Sequence, residues 1–152
     1  MKKRIKIASL FLICMLLMHC SITTYAAENY NDSRVHVAPN FLNCSKCVVT
    51  FTVADPNTAY VGVTYNAYPD TFAQAKVTVQ IQKRFLGLFW KTVDIGYSNN
   101  EWVDYSNAVN GYFYNSFVID GTGTYRANFV VEIKGIDGSV DVIEDSIERK
   151  YS

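Results

Sequence analysis

Apolar and polar side chains alternate residue by residue through much of this chain, and that rhythm permits little except pleated sheet. Val77, Val79 and Ile81 are interleaved with Thr78, Gln80 and Gln82. Tyr125, Ala127, Phe129, Val131 and Ile133 alternate with a set that includes Arg126, Asn128, Glu132 and Lys134. Neighbouring side chains of a strand point to opposite faces, so a period of two marks an element with one covered face and one wet face. The spacing recurs from Val49 to Val53 and from Val61 to Ala67. No window carries the three-and-four spacing of an amphipathic helix, and Thr71 to Lys76 allows one helical turn at most.

Turn residues divide these runs. Asp55-Pro56-Asn57, Pro69-Asp70, Leu86-Gly87, Asn99-Asn100, Asp120 to Gly123 and Asp137-Gly138 each interrupt an apolar stretch, and Asn110-Gly111 is a favoured hairpin pair. About seven or eight short strands at regular spacing predict an all-β domain, an antiparallel β-sandwich of immunoglobulin-like shape. Trp90, Val79, Ile81, Phe129 and Val131 are expected in its core. Trp90 and Val93 lie three apart, so placing both inside requires a bulge near Lys91-Thr92. Gly123-Thr124-Tyr125 resembles the tyrosine corner of immunoglobulin-like domains, in which a Tyr hydroxyl ties a strand start to the preceding turn. Here Asp120 stands five residues before the Tyr, and Ala127 occupies the place of the immunoglobulin cysteine.

The N-terminus reads as an export signal. Lys2, Lys3, Arg4 and Lys6 precede an apolar run from Ile7 to Met18, and small residues lead to Ala26 and Ala27. About 12 apolar residues fall short of the roughly 20 that a membrane-spanning helix needs. Cleavage after Ala26 is expected, giving a signal peptide at 1–26, a flexible lead-in at 27–45, with an added edge strand at its end as the alternative, and the sandwich at 46–152. His19 before Cys20 is not small, which argues against lipidation. The sequence thus predicts a secreted, extracellular protein that meets the membrane only through its leader.

Four of the 14 basic residues lie in the leader, leaving ten against 14 acidic ones, a net charge of about −4 for the remainder. No basic stripe runs along the sequence to follow a phosphate backbone, so nucleic acid is not an expected partner. No cofactor is expected.

Cys44-Ser45-Lys46-Cys47 has the spacing of a redox pair. Such a pair needs a helix N-terminus to stabilise its thiolate, and Cys47 instead runs into Val48-Val49-Thr50-Phe51. A zinc site would need two further ligands, and no metal site is expected. A short disulfide between Cys44 and Cys47 is the expectation for an exported chain, with unpaired or intermolecular thiols and redox or metal roles as alternatives. His36 is the one imidazole past the leader, and no nucleophile flanks it. Asp141, Glu144, Asp145 and Glu148 are the densest acidic group, read as solvated side chains rather than a glycosidase pair. The chain is expected to be no enzyme.

Aromatic rings beside Asn and Asp are the remaining candidates for recognition, because such rings stack on sugar faces while the polar neighbours bond hydroxyls. Tyr97, Trp102, Tyr105 and Tyr112 are the expected ligand contacts. Aromatic packing in a sandwich core is the competing explanation for the high Tyr content.

Val77 to Lys83, Trp90-Lys91-Thr92-Val93, Gly123-Thr124-Tyr125-Arg126 and Asp137-Gly138 together resemble a family of small secreted β-sandwich proteins of Gram-positive (Firmicute) bacteria, without an assigned function. The resemblance covers roughly residues 46 to 152. It implies fold and export, and it carries no functional residues. An extracellular binding or interaction module, with a surface protein or glycan as partner, is the leading functional expectation. A bacteriocin-like toxin, a self-assembling surface protein and a carboxylate-based hydrolase are the alternatives.

Overall fold

The computed structural model describes residues 33–36, 41–54 and 56–152. The expected leader at 1–26 and the His36 side chain lie outside the described residues. Among the described residues, nine strands follow in chain order: β1 (Ser33–His36), β2 (Cys44–Ala54), β3 (Thr58–Ala67), β4 (Phe72–Phe85), β5 (Phe89–Thr92), β6 (Glu101–Ser106), β7 (Asn110–Val118), β8 (Gly123–Gly135) and β9 (Val140–Tyr151). All their pairings are antiparallel. One sheet has the order β1-β2-β3-β7, and the other β5-β4-β8-β9 with β6 also on β4. β5 and β6 lie end to end along one edge of β4, pairing with Gln82 to Phe85 and with Ala75 to Gln80 respectively.

This is the immunoglobulin-like arrangement. β2, β3 and β7 occupy the places of the first, second and fifth strands, and β4, β8 and β9 those of the third, sixth and seventh. The fourth strand departs from the pattern, because β6 joins β4 instead of β7. β1 falls inside the stretch read as a flexible lead-in, and β2 begins at Cys44, within its last two residues.

The core forms where the two covered faces meet. Val49, Phe51, Val61, Val63, Val77, Val79, Ile81, Phe129 and Val131 are buried at alternate positions of their strands. Burying such a side chain stabilises the fold by about 1.5–3 kcal/mol, so the period of two carries the architecture. Tyr125 is fully buried, and its hydroxyl donates to the carbonyls of Asp120 (2.5 Å) and Gly121 (2.7 Å). The strand start is thereby tied to the preceding turn, as in a tyrosine corner.

Two local expectations change. Thr71 to Lys76 forms no helical turn, since β4 starts at Phe72. Asn110-Gly111 is not a hairpin turn but the start of β7, paired with Asn66 and Tyr65. The glycine is required there for another reason: a Cβ on Gly111 would be driven into the Tyr65 ring. That ring is buried and held by its hydroxyl, which donates to Ala108 O at 2.6 Å.

Candidate functional site

The outer face of the β1-β2-β3-β7 sheet carries a row of tyrosines. On β7, Phe113 and Phe117 turn inward while Tyr112 and Tyr114 turn out, 64 % and 53 % exposed. The register sets Tyr112 opposite Thr64, Tyr114 opposite Gly62, and Tyr60 opposite Ser116. Tyr60 and Tyr114 stack diagonally, with ring centroids 6.3 Å apart and planes 24° from parallel. Tyr112 continues the row beside Tyr114 at 6.1 Å and 21°. Gly62 makes room for it. A Cβ there would stand 2.6 Å from Thr50 Oγ1 and 3.3 Å from the Tyr112 hydroxyl, so the ring leans across β3 where a side chain would otherwise stand. Thr50, Thr64, Asn66 and Ser116 share this face by strand parity and register. The result is a stepped aromatic surface rimmed by hydroxyl and amide groups.

Of the four aromatic residues expected to contact a ligand, the structure places only Tyr112 in this row. Tyr105 is exposed on β6, opposite Lys76, on the other sheet. Tyr97 stands at the side of the sandwich, edge-on to Phe117 at 6.2 Å, and its hydroxyl accepts from Asn115 Nδ2 at 3.2 Å. Trp102 corrects the expectation. It is 5 % exposed and packs against Phe117 with centroids 6.2 Å apart. The cause is its register: Trp102 pairs with Val79, a core residue, and so shares the covered face.

Trp90 is the converse correction. It pairs with Arg84 across the β4–β5 hairpin and stays out of the core. The guanidinium groups of Arg126, 4.2 Å from the ring centroid, and Arg84, at 4.9 Å, both lie over its half-buried ring. Gln82 Oε1 accepts from Arg126 Nε at 3.1 Å and holds that group in place. No bulge is needed at Lys91-Thr92, because β5 ends at Thr92 and Val93 separately packs on the core.

Cys44 and Cys47 are both fully buried and free, in place of the expected bridge. The register of β2 on β3 shifts between Cys44 and Lys46, and this bulge turns both side chains of an i, i+3 pair toward the interior. There they pack as small hydrophobic groups. Burial, and then the charge of Asp141, pushes the Cys44 thiol up to about 11. Burial, and then Cys44 itself, pushes Cys47 up to about 12. A thiolate nucleophile or metal ligand is disfavoured at both positions.

The acidic group of β9 divides between the two faces. Asp141 is buried rather than solvated, and its carboxylate accepts the backbone N–H groups of Leu42 (2.9 Å), Asn43 (2.7 Å) and Cys44 (3.1 Å). Asp145 pairs with Arg34 of β1 at 3.0 Å. Glu144 and Glu148 are exposed on the opposite face. Asp141 and Asp145 thus join the N-terminal strands of one sheet to the last strand of the other. Among the described residues, no three His, Cys, Asp or Glu side chains converge as metal ligands.

Sequence reasoning counted Tyr60 and Tyr114 among the tyrosines that could pack or bind but singled out neither. Tyr114 was within reach, since period two places it on the face of Tyr112. Tyr60 was not, because its neighbourhood depends on the β3–β7 register. Compared with known proteins, the chain matches no family model, and no curated protein is similar to it.

Proposed function

We propose that the chain is an exported, non-catalytic binding module that recognises a glycan through the tyrosine row of β3 and β7. The stacked arrangement of Tyr60, Tyr114 and Tyr112 is the observation that supports this reading. Tyrosine offers a large, rigid and amphipathic contact area with little side-chain entropy to lose. Open, near-parallel phenol rings suit the apolar faces of successive sugar rings. The phenol hydroxyls and the surrounding Thr, Asn and Ser groups suit their hydroxyls. The row stands on the central and edge strands of a sheet, so it is largely formed before a ligand arrives, which lowers the ordering cost of binding.

Export rests on the leader read at 1–26, and the resemblance to small secreted Gram-positive proteins agrees with it. Outside the cell, Cys44 and Cys47 would meet oxidising conditions; a gain of two hydrogens on reduction of the secreted protein would reveal a bridge.

The test is a glycan array followed by calorimetry on the best ligand. Truncating a central aromatic contact costs about 1–2 kcal/mol or more, so Tyr112→Ala and Tyr114→Ala should each weaken binding about tenfold. Tyr105→Ala, on the other sheet, should not. A bound glycan indifferent to both β7 substitutions, or no glycan bound at all, overturns the proposal.

A further inference from the structure

The tip of the β4–β5 hairpin is uncovered. Val77, Val79 and Ile81 occupy the covered face of β4 and are buried, but Phe85, which continues the same series, is exposed. Phe89 pairs directly with Phe85, and both rings are more than half exposed. Leu86 and Leu88, between them, are 75 % and 76 % exposed. The tip of the hairpin is therefore four large apolar side chains in one five-residue stretch, broken only by Gly87.

Its backbone is an unusual one for those residues. Leu88 N–H donates to Phe85 O, and the two residues of the turn between them, Leu86 and Gly87, have φ of 51° and 70°. Positive φ at both central positions is the I′ pattern, for which Asn-Gly is the favoured pair. Among the described residues, the other non-glycine positions with positive φ, at 57, 99 and 100, are all Asn. A branched apolar side chain is poorly suited to this conformation, and at Leu86 it is largely presented to solvent. Fold stability does not account for the choice.

Cations collar the base of the tip. Lys83, Arg84 and Lys91 flank it in sequence, and Arg126 reaches it through Trp90. Lys83 Nζ donates to the Asp120 carbonyl, and Glu148 stands opposite Arg126 in the register. The local charge is positive on a chain whose remainder past the leader is acidic overall.

We propose that this hairpin is a membrane-insertion device, in which Phe85, Leu86, Leu88 and Phe89 enter the outer part of an anionic phospholipid bilayer. Charge complementarity selects this occupant: apolar groups at the tip meet acyl chains while Arg84, Lys91 and Arg126 meet phosphate and glycerol headgroups. The dimensions agree. From the Arg84–Trp90 pair to the turn is about three residues, or roughly 10 Å of strand, and peripheral elements bury their apolar face about 5–10 Å into the headgroup and acyl boundary. Trp90 would then lie at the interfacial depth that Trp favours. This departs from the expectation that the leader alone touches lipid, and it is independent of the tyrosine row.

Trp90 provides a local readout that the leader does not disturb. In the full chain carrying Trp102→Phe, whose fold is checked by circular dichroism, Trp90 emission is followed with vesicles containing acyl-brominated lipids. Phosphatidylglycerol vesicles should quench it at least about twofold, and pure phosphatidylcholine vesicles should not. Leu86→Asn with Leu88→Ser installs a favoured turn pair, so the chain should fold as well as before while the quenching disappears. Absence of quenching with phosphatidylglycerol overturns the proposal, as does equal quenching in the double variant. So does an emission shift that depends on protein concentration without lipid, which would assign the tip to a second copy of this chain.

Discussion

The Asp141 carboxylate accepts the Asn43 backbone N–H at 2.7 Å, joining the start of one sheet to the last strand of the other. The same carboxylate takes the N–H groups of Leu42 and Cys44. A buried donor left without a partner costs about 1–3 kcal/mol. Asp141→Ala should therefore destabilise the fold by about 2–4 kcal/mol, and Asp141→Asn, which keeps one acceptor oxygen, by less. Urea unfolding checks this, and an unchanged midpoint in the alanine variant would contradict the role.

Gly111 and Tyr65 make a second pair in which neither can change alone. The Tyr65 ring fills the space of a Gly111 side chain, and its bond to Ala108 O keeps it from swinging away. Gly111→Ala should cost about 1–3 kcal/mol, the usual range for overpacking a core. Tyr65→Phe should cost about 1 kcal/mol through the lost hydrogen bond. Thermal unfolding of both variants measures the two effects, and a Gly111→Ala protein as stable as the parent would refute the clash.

The buried thiols give stability a dependence on alkaline pH. Folded Cys44 and Cys47 are pushed up to about 11 and 12, whereas thiols of an unfolded chain titrate near about 8.5. The folded state keeps protons that the unfolded state sheds, so the stabilisation is complete below about pH 8 and is lost as pH rises toward 11–12. Urea midpoints of the reduced protein should fall over that window more steeply than those of a Cys44→Ala, Cys47→Ala variant. Parallel curves for the two proteins would show that the thiols are not buried as described.

The two tryptophans should differ in both quenching and stability. Trp102 lies against Phe117 inside the sandwich, while Trp90 lies against two guanidinium groups outside the core. Iodide should quench emission readily in Trp102→Phe, where only Trp90 remains, and poorly in Trp90→Phe. Trp102→Ala should cost about 3–5 kcal/mol, and Trp90→Ala about 1 kcal/mol from its cation–π contacts. Reversed quenching would restore the assignment expected from the sequence.

The tryptophans also show where sequence reasoning stopped. Alternation identified Val79, Ile81, Phe129 and Val131 as core residues because each lies within a long run of constant period. Trp90 and Trp102 sit in short strands, each between an apolar neighbour (Phe89, Val103) and a charged one (Lys91, Glu101), so the local pattern does not say which face is covered. Their registers decide it: Trp102 is opposite Val79, and Trp90 is opposite Arg84. The tyrosine row was half legible for the same reason. Tyr112 and Tyr114 share a face by parity alone, but Tyr60 joins them only because β3 pairs with β7.

The order of residues by itself determined most of the strands, their apolar and polar faces, the tyrosine corner and hence the all-β class, since each depends on near neighbours in the chain. Tertiary structure alone decided which faces were covered. It buried Asp141 by bringing residues 42–44 against β9, made Gly111 obligatory through a ring 46 positions earlier, and left Phe85 bare at the end of a face that is covered from Val77 to Ile81. A strand's pattern records that one side is apolar; whether anything lies opposite depends on elements distant in sequence, and their placement is set by the global pairing of the sheets.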